Sequence, residues 1–473
     1  MKNNQVGFRQ ALEFFRQTSK TVPAYKDFLK KNKINPNKIK NLEDFKKVPL
    51  VDKKNYLLKY PFVDLFPNRN IPPMVSASSG SSGQPFYWPR GKVQEVEGGQ
   101  IHENIFRNIF EMPKKGTLMI VCFSMGSWVA GTYTLSSGRW ISENSGGLTT
   151  ITPGIDKDDV IGALKNFAPN FNQVILAGYP PFLMDVLNDA KGQGIDLHKL
   201  KLRLLLAGEN FSEKWRDTIQ DRAGINSLLN GSVSVYGTAD AGILGHETPL
   251  SVFIRKKASQ DKNLLRILFK NTSFLPSLIQ YYPEKKFFES VNGKIVFTAK
   301  AGIPLVRYNI NDNGEIINYN EMQALLADYK LKGEIKKKKL DVWKQPFIYL
   351  SGREDVAVSF YAINIYPENI KAGLEDRRLS KIVSGKFKSL ALLSRNQSTQ
   401  KLIINVELSK GVKPTDINTK LIQSCVVDSF TKLNMEFRKL HASIGEKAKP
   451  KIKLIESGTS EFQVKKSKIK WTN

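Results

Sequence analysis

Cysteine is nearly absent. Cys122 and Cys425 are the only two in 473 residues, which excludes a disulfide scaffold and any cysteine-based zinc site. Histidine is scarce as well, with four residues whose spacing shows no catalytic pattern, and a lone His such as His246 in LGHETP is usually not a ligand. Acidic side chains are outnumbered, 44 Asp and Glu against 72 Lys and Arg, for a formal net charge of +28. The excess Lys is scattered along the chain, and no RRM, KH or zinc-finger pattern accompanies it. It therefore reads as solvated basic faces, and no specific nucleic-acid partner is expected. Such a field still favours small anionic substrates and acidic carriers. A long apolar run is missing too. The longest, TLMIVCFSMGSWVAG from Thr117 to Gly131, is too short and too interrupted by Ser and Gly to span a bilayer. The opening MKNNQVGFRQALEFFRQTSK has no apolar signal core, and its Phe8, Leu12 and Phe15 recur at helical spacing. These absences predict no transmembrane segment and a cytoplasmic location.

What is present suits a large globular chain. A hydrophobic content of 41%, with 27 Phe and 15 Tyr, supplies real cores, and 473 residues exceed one compact core, so two or three domains are expected. Residues 1–70 read as short helices broken at Pro23, Pro36, Pro49 and Pro61. From about 100 to 240, buried-strand patterns (TLMIVCFS, NQVILAGYP, KLRLLLAGEN) alternate with helical ones (ENIFRNIF, PFLMDVLNDAKGQG, SEKWRDTIQDRAG). That alternation predicts an α/β fold with a largely parallel sheet. Residues 250–350 are richer in strand patterns, and YKLKGEIKKKKLDVWKQ reads as a charged surface connection. After about 352 the pattern restarts with KLIINVELSK and DINTKLIQSCVVDSF, which predicts a separate, small α/β domain.

One stretch stands apart, SASSGSSGQP from Ser76 to Pro85. A Ser/Gly-rich linker usually separates domains, yet this one precedes the α/β core. Gly80 and Gly83 permit positive φ, so successive N–H groups can converge on an anion, with Ser78, Ser79, Ser81 and Ser82 adding hydroxyl donors. It is not a Walker A loop, because the Gly-Lys-Ser/Thr ending is missing. Taken alone, linker and phosphate loop both remain open.

The stretch resembles the Ser/Thr/Gly-rich phosphate loop of the adenylate-forming enzyme superfamily, with the closer likeness to the branch of phenylacetate–CoA ligase and coenzyme F390 synthetase. The resemblance continues in order along almost the whole chain. VPAYKDFLKKNKINPNKIKNLEDFKKVPLVDKKNYLLKYPF is similar to that branch's opening segment, and FSMGSWVAG to its Gly-rich segment near the acyl pocket. LLLAGENFSE resembles the adenine loop, VYGTADAG the YGxTE motif, PLVRYNINDNG the segment with the ribose-binding aspartate, and GREDVAVSFYAINIYPENI the hinge motif.

That resemblance implies an acyl-adenylate-forming α/β fold, with a large N-terminal multi-layer domain over 1–350 and a smaller mobile C-terminal lid over 351–473. It implies ATP and Mg²⁺, with CoA as co-substrate. By likeness, Ser78, Ser79, Gly80, Ser81, Ser82 and Gly83 would hold the β- and γ-phosphates, and Gly208, Glu209 and Asn210 would line the adenine. Tyr236 would stack on it within the Tyr236-Gly237-Thr238 motif, and Asp312 would accept from the ribose hydroxyls. Arg353 would meet the nucleotide, Asp355 would be the hinge, and Asp240 would hold Mg²⁺. SKIKW nominates Lys468 as the catalytic lysine of adenylation, with Lys465 and Lys466 close competitors. A compact charge on a long stem suits that role. Phe123, Met125 and Trp128 would line an acyl pocket, or belong to the core.

The chain also departs from the pattern. Gln84 stands where the family often has Lys, Asp240 replaces Glu, and Ala239 replaces Thr. Val356 replaces the second hinge acid, and Tyr361-Ala362 replaces a Gly-containing turn near the acceptor channel. The leading expectation is an ATP-dependent acid–thiol ligase acting on a small-molecule carboxylate and CoA, with a homodimer as the assembly considered. The alternatives are transfer to an amine or carrier-protein thiol, and a degenerate nucleotide-binding homologue.

Overall fold

The computed structural model describes residues 2–77, 86–270, 275–352, 358–360, 363–393, 400–459 and 462. The strands, in chain order, are β1 (Met74–Ala77), β2 (Tyr87–Arg90), β3 (Thr117–Cys122), β4 (Leu148–Ile151), β5 (Gln173–Gly178), β6 (Leu202–Ala207), β7 (Ser232–Thr238), β8 (Gly242–His246), β9 (Ser277–Gln280), β10 (Lys286–Val291), β11 (Lys294–Ala299), β12 (Leu305–Ile317) and β13 (Phe347–Leu350). All but β1 and β2 form one eleven-stranded sheet, in the order β10-β11-β12-β13-β9-β8-β7-β6-β5-β3-β4.

The sheet has two halves. From β4 to β7 every neighbour is parallel. From β7 through β8, β9, β13, β12 and β11 to β10 every neighbour is antiparallel. The largely parallel arrangement expected from the alternation over about 100–240 is found over residues 117–238. The reason lies in the connections. β3, β5 and β6 are each followed by a helix, Val129–Asn144, Pro180–Gly192 or Glu213–Arg222, and such crossovers return the chain parallel. Beyond Thr238 the turns from β7 to β8 and from β10 to β11 are too short for a crossover, so neighbours must run antiparallel. In the parallel half β3 and β5 are buried on both faces, as their unbroken apolar runs require.

The N-terminal helices Lys2–Thr21 and Pro23–Lys31 cover the antiparallel half. Phe15, Tyr25, Phe45 and Tyr56 meet there with Phe297 and Tyr308 in one aromatic core. The YKLKGEIKKKKLDVWKQ stretch is anchored rather than a mere surface connection. Ile335 and Leu340 are buried among its lysines, Trp343 packs edge-on against His246 with ring centroids 5.2 Å apart, and Gln280 Nε2 donates to the carbonyl of Trp343 at 2.8 Å.

Residues from Val358 onward have their own core. β14 (Val358–Phe360) and β15 (Ile363–Ile365) form a hairpin, and β16 (Val383–Leu393), β17 (Gln400–Leu408) and β18 (Lys451–Ile455) form a three-stranded sheet. The helices Pro367–Leu374 and Asp416–Leu433 pack with them around Ile370, Phe387, Ile404, Val426 and Phe430. Among the described residues, no helix is long and apolar enough to cross a membrane.

Glycine is required where the β1–β2 hairpin docks. A Cβ on Gly302 would lie 1.7 Å from the carbonyl oxygen of Pro89, and the Gly302 N–H donates to Gln94 Oε1 at 3.1 Å. Gly302→Ala must push β2 off the sheet and is expected to cost about 1–3 kcal/mol. Thermal unfolding would show this as a lowered Tm.

Candidate active site

β1 and β2 pair antiparallel, with Ala77 opposite Tyr87. Residues 78–83, the expected phosphate loop, join these two strand ends and lie outside the described residues, as does Gln84. Their anchors are well defined. Arg90 is 1% exposed and donates to Ser76 Oγ at 2.6 Å, Glu95 Oε1 at 2.7 Å and Thr132 Oγ1 at 3.3 Å. The Ala77 N–H donates to the carbonyl of Ser127 at 2.7 Å, and Ala77 bridges Trp128. The strand entering the Ser/Gly-rich stretch is thus tied to the FSMGSWVAG segment. Within that segment Phe123 is buried, and Met125 is packed beside it in the core of the large domain.

Three tyrosine–carboxylate pairs bring the other expected residues together. Tyr236, at a register shift of β7 just before Gly237, donates its hydroxyl to Asp312 Oδ2. Asp312 follows Asn311, which has φ 71°, a left-handed conformation that Asn accepts more readily than most residues. Asp240 is 9% exposed, and its Oδ1 accepts from the Tyr308 hydroxyl at 2.6 Å. Thr238 Oγ1 accepts the Ala241 N–H at 3.2 Å, bracing the turn that carries Asp240. Glu209 follows Gly208, which has φ 109°, and its Oε2 accepts from the Tyr179 hydroxyl.

The Gly208–Asn210 loop rests on a buried ionic cluster. Asn210 Oδ1 accepts from Ser277 Oγ at 2.9 Å and from Arg255 at 3.4 Å, and Arg255 also donates to the carbonyl of Phe211 at 2.7 Å. Arg255 and Arg216, both fully buried, share Glu247 Oε1 at 2.8 and 2.6 Å. Glu213 pairs with Arg216 at 2.8 Å and Arg255 at 3.1 Å, and the Ser234 N–H donates to Glu247 Oε2 at 2.8 Å. Burial alone would raise the Glu247 carboxyl, but the two guanidiniums outweigh it and hold its pKa below the usual range.

His246 is not available as a ligand. It is buried between the carbonyl of Glu247, 2.7 Å from Nδ1, and the Tyr282 hydroxyl, 2.9 Å from Nε2. Burial pushes its pKa down to about 4. His102, with Nδ1 2.8 Å from the carbonyl of Gly98, is likewise pushed down to about 4 by burial.

The structure therefore brings together Tyr236 with Asp312, holds Asp240 on Tyr308, and seats Glu209 and Asn210 beside Tyr179 and Arg255. Arg353, Asp355, Val356, Tyr361, Ala362, Lys465, Lys466 and Lys468 lie outside the described residues. Sequence reasoning missed Tyr179, Tyr308, Arg216, Arg255 and Glu247.

Two outcomes follow. Glu247→Ala leaves two buried guanidiniums with only the Glu213 carboxylate between them and is expected to destabilise the fold by about 3–5 kcal/mol, measured by denaturant unfolding. His102 and His246 are neutral when folded, with pKa values near 4 against 6.5 unfolded. The unfolded chain therefore takes up more protons, and stability should fall as pH drops from 6.5 towards 4 and level off below. His246→Gln should flatten part of that slope.

No family profile matches the chain, but individual proteins do. It is 24% identical over 300 residues to a phenylacetate–coenzyme A ligase from Pseudomonas putida, covering 62% of this chain and 61% of that protein. A second, from Thermus thermophilus, is 20% identical over 358 residues, covering 75% of this chain and 71% of that one. The alignment spans about three fifths of the first curated relatives it matches. Among solved structures, a 2-hydroxyisobutyryl-CoA ligase in the postadenylation state superposes with a TM-score of 0.67 at 16% identity, covering 98% of this chain and 88% of that one. An acyl acid amido synthetase superposes with a TM-score of 0.61 at 14% identity, covering 97% and 87%. The chain has the fold of the adenylate-forming ligases, and its sequence similarity lies with the phenylacetate–CoA ligase branch.

Proposed function

We propose that the chain activates a carboxylic acid with ATP and passes the acyl group to the thiol of CoA. The observation that carries this reading is the pair of tethered carboxylates, Tyr236–Asp312 and Tyr308–Asp240, on segments whose sequence matches the nucleotide motifs. In the first step a substrate carboxylate oxygen attacks the α-phosphorus, and the bond to pyrophosphate breaks. In the second, a thiolate attacks the acyl carbon, the bond to AMP breaks, and AMP leaves. Little covalent work falls to the protein, so positioning and charge stabilisation carry the rate.

Asp312, oriented by Tyr236, would accept from the ribose hydroxyls, since a carboxylate can receive both. Gly208, Glu209 and Asn210 would line the base, and the 78–83 stretch would follow the departing pyrophosphate with neutral donors. Arg353 and Lys468 would bring positive charge to the α-phosphate, with the 351–473 lid turning about Asp355. Asp240 suits Mg²⁺: it is a hard-oxygen ligand with one oxygen held by Tyr308. Mg²⁺ keeps several waters and phosphate oxygens, so it needs few protein ligands. Bound there, it would neutralise charge on the phosphates.

Tyr361-Ala362 in the expected acceptor-channel turn favours a second reading, in which an amine or a carrier-protein thiol receives the acyl group.

Pyrophosphate release from Mg·ATP, measured across aromatic, short-chain and long-chain acids with and without CoA, tests both. Acid-dependent release accelerated by CoA supports the first reading, and release indifferent to CoA supports the second. Lys468→Ala and Asp240→Ala should each lower acid-dependent release by about 100-fold. Nucleotide binding with no release across the panel would overturn adenylation.

A further inference from the structure

The lid touches the large domain at the loop where the base is expected. Lys371, on the lid helix Pro367–Leu374, donates to Glu209 Oε1 and, at 2.8 Å, to the carbonyl oxygen of Asn210. Both partners of the ion pair are nearly buried, with side chains 14% and 11% exposed, so the contact is charge-assisted and poorly screened. The ammonium also stands 6.0 Å from the Trp215 ring. Two more lid side chains cross the same boundary: Glu375 meets Ser212, and Lys386 pairs with Asp185 at 2.5 Å.

Lys371 differs from these in what it holds. The side chain of Asn210 is fixed from within the large domain, by Ser277, Arg255 and the carbonyl of Leu275. The lid adds Lys371 on Glu209 Oε1 and on the Asn210 carbonyl, while Glu209 Oε2 is held from within the large domain by Tyr179. Glu368 and Glu375 lie near the same ammonium: burial is the largest influence and raises both carboxyls, Glu209 raises them further, and Lys371 opposes this, joined at Glu375 by Lys214. Removing Lys371 would leave Glu209 Oε1 and the Asn210 carbonyl without the cation that joins them.

We propose that Lys371 is a positioning residue that makes the base-binding geometry of the Gly208–Asn210 loop conditional on the lid. With the lid docked, Lys371 orients Glu209 and the Asn210 carbonyl for an adenine. When the lid turns, these groups are released and the adenine nucleotide is loosened. Adenine selectivity is then a property of the docked lid as well as of the loop. The inference rests on the reading that this loop receives the base.

Equilibrium binding of ATP, AMP and GTP to the full chain tests it, comparing unaltered protein with Lys371→Met, Lys371→Arg, Glu209→Gln and Lys386→Met. Lys371→Met is expected to weaken ATP and AMP about tenfold with little change for GTP, so the preference for adenine collapses. Glu209→Gln, which keeps the shape and removes the charge, should do the same, and Lys371→Arg should restore most of the preference. Lys386→Met cuts a lid contact away from the loop and should leave the preference intact. An unchanged ATP/GTP ratio in both Lys371→Met and Glu209→Gln overturns the inference alone. Equal loss in Lys386→Met also overturns it, because any weakening of the lid would then suffice. If the unaltered chain binds none of the three nucleotides, the adenine reading fails and the inference falls with it.

Discussion

Four buried charges tie two of the helices flanking the eleven-stranded sheet to it. Arg216, Arg255, Glu213 and Glu247 balance to zero, each is at most 4% exposed, and they join the helices Glu213–Arg222 and Pro249–Gln260 to the strand β7. Removing such charges from water is costly unless every one is paired, so the cluster tolerates few arrangements. Its most consequential output is Arg255, which fixes the carbonyl of Phe211 and the side chain of Asn210. A shift in the cluster would therefore move the loop proposed to meet the base.

The candidate site repeats one device three times. Tyr179, Tyr236 and Tyr308 each place a hydroxyl on one oxygen of Glu209, Asp312 or Asp240. A phenol hydroxyl orients a carboxylate without cancelling its charge, as an arginine would. A carboxylate kept charged in this way can accept from hydroxyls or ligate a hard cation; at Glu209 the Lys371 ammonium takes Oε1. The aromatic bodies of the tyrosines come from the surrounding core, Tyr308 from the cluster shared with the N-terminal helices and Tyr179 from that beneath β5 and β6. Packing and site geometry are therefore one construction, and a core substitution near these rings would act on the site as well as on stability.

Much of this organisation was legible in the sequence. Unbroken apolar runs marked β3, β5 and β6, because strands buried on both faces need no alternation. A pattern restart was read after residue 352, and buried residues from Val358 to Ile452 form one hydrophobic cluster. Tyr236 and Asp312 were named from motifs 76 residues apart and meet in space. The antiparallel half of the sheet was less legible, since strand patterns alone do not state which neighbour each strand will choose. The lysine-rich stretch near residue 335 was misread because Ile335 and Leu340 are two apolar positions among many charges, and only packing reveals that they point inward.

The sequence by itself determined the chemistry on offer: a Ser/Gly-rich stretch ahead of an α/β core, carboxylates at Asp240 and Asp312, too few thiols for a disulfide scaffold or a cysteine-based zinc site, and an excess of positive charge. Those properties reside in single side chains or short runs. Tertiary structure decided the partners. Pairing Tyr308 with Asp240, Arg255 with the Asn210–Phe211 turn, or Lys371 with Glu209 spans 68, 45 and 162 residues of chain. Contacts at such separations follow from the order and direction in which strands and helices pack, which no local pattern specifies.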